Sequence, residues 1–126
     1  MVNPYNTYNK VLEDKILTAT KEELTLMLYE GGIKFLNQAL VAMEKNDPAK
    51  TNTLLIKVQD IVREFQITLD HKYPIATQLN ALYDYMHRRL IEANMRKDAE
   101  IVKEVLGMMK DFRDTWKEAM KLAKTT

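Results

Sequence analysis

The chain has 126 residues, 46% of them hydrophobic and 29% charged, which is close to the commonest size of a single globular domain and enough to bury roughly two thirds of the unfolded surface. Nineteen basic against eighteen acidic side chains leave a net charge of +1, too balanced for a surface built to neutralise nucleic-acid phosphates. Cysteine and serine are absent, which excludes a disulfide framework, a thiolate metal site and a cysteine or serine nucleophile, and makes a reducing compartment, the cytoplasm, the expected location. The longest uncharged stretch, Tyr73 to Tyr83, is eleven residues long and contains a proline, far short of the ~20 apolar residues that span a bilayer. With no basic segment followed by an apolar one at the N-terminus, neither membrane insertion nor a secretory signal is expected.

The opening MVNPYNTYNK sets Tyr5 and Tyr8 in a polar run. A solvated tail has little use for large rings, so this arm, residues 1–17, is expected to lie against something. Thr20 followed by Glu23 has capping-box spacing and starts a first long helix over about 21–45. Leu26, Tyr29, Ile33, Leu36, Leu40 and Met43 recur along it at steps of three and four, one stripe of a 3.6-residue helix. The same helix is apolar elsewhere too, at Leu24, Met27, Leu28 and Phe35. A helix apolar on more than one side has to be covered on more than one side.

Asp47-Pro48 reads as an N-cap with proline in the first turn, opening a second helix over about 48–70 with the stripe Leu55, Val58, Val62, Phe65 and Leu69, widened by Leu54 and Ile61. HKYP breaks that run. A third helix over about 75–95 carries Leu79, Leu82 or Tyr83, Met86, Leu90 and Ala93 as its apolar side. Tyr83 and Tyr85 cannot both face one core from this helix. Asp98 caps a fourth, over about 98–123, with Val102, Val105, Met109, Phe112, Trp116, Ala119 and Ala123 in regular alternation. Helices of about 20 residues joined by short connections pack antiparallel, which predicts an all-α fold: an up-down four-helix bundle in a single domain, with an N-terminal arm or short extra helix.

Few residues suggest chemistry. Asp84 and His87 have the carboxylate-x-x-His spacing of di-iron bundles, but such sites need two pairs and two further carboxylates, and the second histidine, His71, falls in the loop before Pro74. No CxxCH run exists for haem attachment. Gly31-Gly32 lies mid-helix without a preceding strand, so it reads as close helix packing rather than a phosphate cradle. Asp84, Arg88, Arg89 and Glu92 are spaced for pairs on a solvated face, and most of the eight methionines fall at core spacings. No enzyme, metal or cofactor is expected.

NPY with the second tyrosine Tyr8, then ELTLMLYEGGIKF, LYDYMHRRLIEAN and DFRDTWKEA, spread in order from residue 3 to 119, together resemble the bacterial flagellar export chaperone family, the flagellin-specific chaperones commonly called FliS. The resemblance implies a cytoplasmic, non-enzymatic helical protein that binds the C-terminal segment of flagellin, prevents premature polymerisation and delivers the subunit to the flagellar type III export apparatus, with an export-gate component as a second partner. It implies that the client lies in hydrophobic grooves outside the bundle and that the N-terminal arm can cover part of them. Carried onto this chain, Leu24, Leu28, Leu54, Ile61, Tyr83 and Tyr85 are the expected groove residues, with Tyr5 and Tyr8 as the movable cover. The alternative is a helical module that homodimerises or acts as an adaptor through its surplus apolar face, without binding flagellin.

Overall fold

The computed structural model describes the backbone of residues 4–125 and the side chains of residues 10, 11 and 13–124. It is all helical over the described residues, with α1 at Pro4–Thr18, α2 at Lys21–Glu44, α3 at Pro48–Thr68, α4 at Ala76–Arg96 and α5 at Ala99–Thr125. The side-chain caps read from the sequence are made. Thr20 accepts a hydrogen bond from the Glu23 amide at 3.1 Å, Asp47 from the Lys50 amide at 3.1 Å, and Asp98 from the Glu100 amide at 2.9 Å. Each satisfies an amide that the first helical turn leaves without a partner. Pro74 precedes α4, and Ile75 stands at its start without a side-chain cap.

Helices α2 to α5 form a closed ring of neighbours in the order α2, α3, α4, α5 and back to α2. The N-terminal segment appears as the helix α1, the fifth element beside a four-helix bundle. Leu36, Leu55, Val58, Val62, Met86, Leu90, Val102, Val105 and Met109 are fully buried along the axis. They are the stripes expected from three-four spacing, with the exception that the α5 stripe is buried only in its first half. Trp116 donates its indole N–H to the Glu22 carbonyl at 3.0 Å, in the first turn of α2. Residues of α5 beyond it therefore run past the start of α2, and Ala119 is exposed.

Gly32 sets how closely α2 and α5 approach: a Cβ added there would stand 3.0 Å from Met109 Cε, whereas one on Gly31 would sit 3.9 Å from Ile61 Cδ1. The buried Thr51 donates its hydroxyl to the Asp47 carbonyl at 2.8 Å.

The two turns at the other end of the bundle, α2–α3 and α4–α5, are built alike. Asn46 and Lys97 adopt φ of 53° and 52°, and the following aspartate amide bonds back to an alanine carbonyl, Asp47 to Ala42 at 2.9 Å and Asp98 to Ala93 at 3.1 Å. This six-to-one bond across a left-handed residue closes the helix C-terminus and lets the same aspartate cap the next helix. Asparagine tolerates that conformation; lysine carries the full Cβ penalty. Lys97→Gly is therefore expected to stabilise the fold by about 1 kcal/mol and raise the melting temperature by about 4 °C in thermal unfolding.

Candidate functional site

A bundle of four helices has four outer seams, and polar side chains bridge three of them. Across α3/α4, Gln66 donates to Asn80 at 3.2 Å and to Asp84 at 2.7 Å, and Asn94 donates to Asn52 at 2.6 Å. Across α4/α5, Tyr85 and Arg89 both donate to Glu104, at 2.9 and 2.8 Å. Across α5/α2, Trp116 reaches Glu22 and Lys117 stands 3.8 Å from Glu30. Among the described residues, no side-chain hydrogen bond or ion pair joins α2 to α3. Apolar contact and one cation–π pair make that seam, with Gly31 facing Ile61 and the Lys57 ammonium 5.2 Å from the Phe35 ring centroid.

Spacing explains why this seam is apolar. On α2, Leu24, Leu28, Gly31 and Phe35 follow one another at four, three and four residues; on α3, Leu54, Lys57 and Ile61 follow at three and four. Each row lies beside its helix's core stripe, so Leu28, Gly31, Phe35 and Ile61 are neither fully buried nor fully in water. Leu24 is 36% exposed, and Leu28, Phe35 and Ile61 are partly buried against the core.

One end of the bundle holds a cleft of about 570 Å³, lined by Lys21, Thr25, Leu69, Tyr73, Leu79 and Trp116 among others. Behind it lies a layer of four rings, one from each long helix. Tyr29 stands 4.4 Å from Phe65 and 6.2 Å from Phe112, and Tyr83 stands 5.4 and 5.5 Å from the same two rings, centroid to centroid. The Tyr29 and Tyr83 hydroxyls are 3.0 Å apart. Burial holds both phenols above their ordinary range, and the neighbouring hydroxyl adds to the effect at Tyr29.

The residues expected to form one groove are divided by the structure. Leu24, Leu28 and Ile61 share the α2/α3 seam. Leu54 belongs to the same row but is only 6% exposed, packed into the core cluster with Leu55 and Val58, and it is corrected here from a surface contact to a core residue. Tyr83 is likewise a core residue, 4% exposed within the ring layer, and lines the cleft. Tyr85 is on the opposite side of the bundle, tied to Glu104, so it does not join Leu24, Leu28 and Ile61. The side chains of Tyr5 and Tyr8 lie outside the described residues. Phe35 and Lys57 were missed as site residues, although Phe35 already stood out as surplus apolar surface on α2.

Asp84 is engaged as an acceptor from Gln66, and His87 is held below its ordinary range by partial burial and then by the Arg63 charge. The tyrosine pair has a measurable consequence. Its folded-state pKa values lie above the unfolded value near 10, so its contribution to stability is complete below that pH and is lost as pH rises beyond it. Of the six tyrosines, Tyr29 and Tyr83 are expected to stay protonated in alkaline titration followed by phenolate absorbance until the bundle unfolds. The double variant Tyr29→Phe with Tyr83→Phe removes this delayed step.

The family model described as flagellar protein FliS matches residues 3–123. The flagellar secretion chaperone FliS of Bacillus subtilis (strain 168) is 43% identical over 118 residues, covering 94% of this chain and 86% of the relative. The flagellar secretion chaperones FliS of Escherichia coli (strain K12) and Salmonella typhimurium are 33% and 34% identical, covering 86% and 85% of this chain and 82% of each relative. A crystal structure of a flagellar chaperone from bacteria superposes with a TM-score of 0.75 at 16% identity, over 94% of this chain and 98% of that one, a likeness of fold.

Proposed function

The chain belongs to the flagellar protein FliS family, whose relatives above are flagellar secretion chaperones rather than enzymes, and on that footing we propose that it binds the C-terminal segment of flagellin along the α2/α3 seam. Binding there keeps the subunit from polymerising early and holds it ready for a component of the flagellar export gate. The whole chain acts as one domain, in the cytoplasm, where its lack of cysteine carries no cost.

The observation that carries this reading is the unbridged seam. Three seams are tied by polar groups that would have to be desolvated or re-paired if another helix lay over them. The fourth offers leucine, isoleucine and phenylalanine, and covering these releases about 25 cal/mol per Å² of apolar area. An amphipathic helix laid along it would meet apolar anchors at helical spacing, the helix-in-groove mode of recognition. A client segment that orders only on binding loses chain entropy, so it needs a long apolar track rather than a small patch. The α2/α3 seam runs beside helices of 24 and 21 residues, giving about 30 Å of track.

Titration calorimetry with flagellin from the same organism, against flagellin lacking its last ~40 residues, tests the reading. Binding is expected for the intact subunit alone. Leu24→Asp combined with Leu28→Asp is expected to weaken it by at least about tenfold, since each buried leucine contributes on the order of 1.5 kcal/mol or more, with unchanged helical circular dichroism. Tyr85→Phe, across the bundle, is expected to leave it unaltered. Equal binding to both flagellins, or to neither, would reject the reading in favour of homodimerisation or an adaptor role.

A further inference from the structure

The ring layer behind the end cleft has an unbalanced count of hydrogen atoms. Two phenol groups bring two hydroxyl hydrogens. At 3.0 Å, the Tyr29 and Tyr83 oxygens share one of them, whichever is the donor. The second hydrogen requires an acceptor, and among the described residues neither hydroxyl has another partner. Both residues are 4% exposed, and both line the cleft. The cleft they line has Phe65, Phe112, Leu79 and Trp116 in its wall, with polar side chains such as Thr25, Thr68 and Thr115 beside them. Burial keeps both phenols protonated, so the donor persists wherever the fold does.

The cleft also continues the α2/α3 seam. Lys21, Glu22 and Thr25 on α2, all within about a turn of Leu24, and Thr68 and Leu69 at the end of α3, two turns beyond Ile61, are among its lining residues. A polypeptide lying along the seam therefore arrives at the opening. We propose that the cleft is a specificity subsite that receives, from the client lying in the α2/α3 seam, a ring-sized apolar group carrying one hydrogen-bond acceptor, which takes the hydrogen left over by the Tyr29–Tyr83 pair. This rests on the client reading above and adds to it the chemistry that the cleft selects. A group of the same shape without an acceptor leaves a buried donor unpaired and binds less well than its apolarity alone would give.

The hydrogen count predicts a distinctive pattern. Removing either hydroxyl leaves one donor free for the ligand, whereas removing both leaves none. Acetophenone and ethylbenzene, of like shape with and without a carbonyl acceptor, are titrated into the full chain and followed by amide shifts of the cleft residues. The ratio of their affinities is expected to be the same in wild type, Tyr29→Phe and Tyr83→Phe, and to fall about fivefold in the double variant, the loss of one hydrogen bond. Continued ethylbenzene binding by the double variant shows that its cleft is intact. A ratio unchanged in the double variant, or lost completely in one single variant, overturns the shared-hydrogen account.

Adding flagellin is expected to displace acetophenone. Flagellin that binds without displacing it would assign the cleft to a free small molecule and overturn the client assignment. Flagellin that does not bind at all removes the client reading and this assignment with it, while the affinity ratio still decides the role of the hydroxyl pair.

Discussion

The surplus apolar surface of α2 is the constraint on which the rest of this structure depends. One helix side is covered by the core through Tyr29, Ile33 and Leu36. Toward α5, Gly32 gives up its own side chain so that the Met109 thioether can fill the space, and Trp116 is anchored on the first-turn carbonyl of Glu22. What remains is the row Leu24, Leu28 and Phe35 toward α3, which among the described residues no side-chain hydrogen bond or ion pair bridges, only the Lys57 ammonium over the Phe35 ring, and which the bundle covers only in part. A purely structural bundle gains stability by placing polar residues there. Retaining leucine and phenylalanine makes sense when a second polypeptide completes the burial, because the free energy withheld from folding becomes available for association.

On the proposed reading, the ring layer divides in the same way between stability and recognition. Aromatic pairs at the observed separations contribute about 0.5–1.5 kcal/mol each beyond area burial, and four rings from four helices fasten one end of the bundle. Placing two phenols among them brings oxygen atoms into the apolar end of the core, where two phenylalanines would pack without any hydrogen-bonding demand. The hydroxyls satisfy each other in part, and what is left over faces the cleft. The opposite end is closed by backbone means, the paired left-handed turns at Asn46 and Lys97, and carries no comparable layer.

Much of this architecture is legible in the sequence because it rests on local rules. Thr20, Asp47 and Asp98 announce helix starts through side-chain oxygens that need only the next turn to act. The stripes Leu55–Val58–Val62–Phe65 and Val102–Val105–Met109 follow from helical periodicity alone. Edge positions are harder. Leu54 and Ile61 have the same relation to the α3 stripe, yet one is buried and the other half-buried, so position relative to the stripe does not decide the burial of an edge residue. Tyr83 and Tyr85 differ by two residues and so by half a helical turn, but which one turns inward depends on Met86 and Leu90 setting the stripe. The Tyr29–Tyr83 pair joins residues 54 positions apart, and no local rule gives the register that brings them together. Lys97 in a left-handed turn was illegible for another reason, since glycine or asparagine is the usual occupant there.

The account stands most directly on whether a client covers the α2/α3 seam in preference to the polar ones. Methyl spectra of the chaperone titrated with full-length flagellin would decide it, with Leu24, Leu28 and Ile61 reporting on the seam and Ile91, exposed on α4 in the row of Asp84 and Asn94, on the polar α3/α4 seam. The account predicts that the first three shift and saturate together with binding while Ile91 stays in place. Shifts centred on Ile91, with Leu24, Leu28 and Ile61 unmoved in a saturated complex, would contradict it.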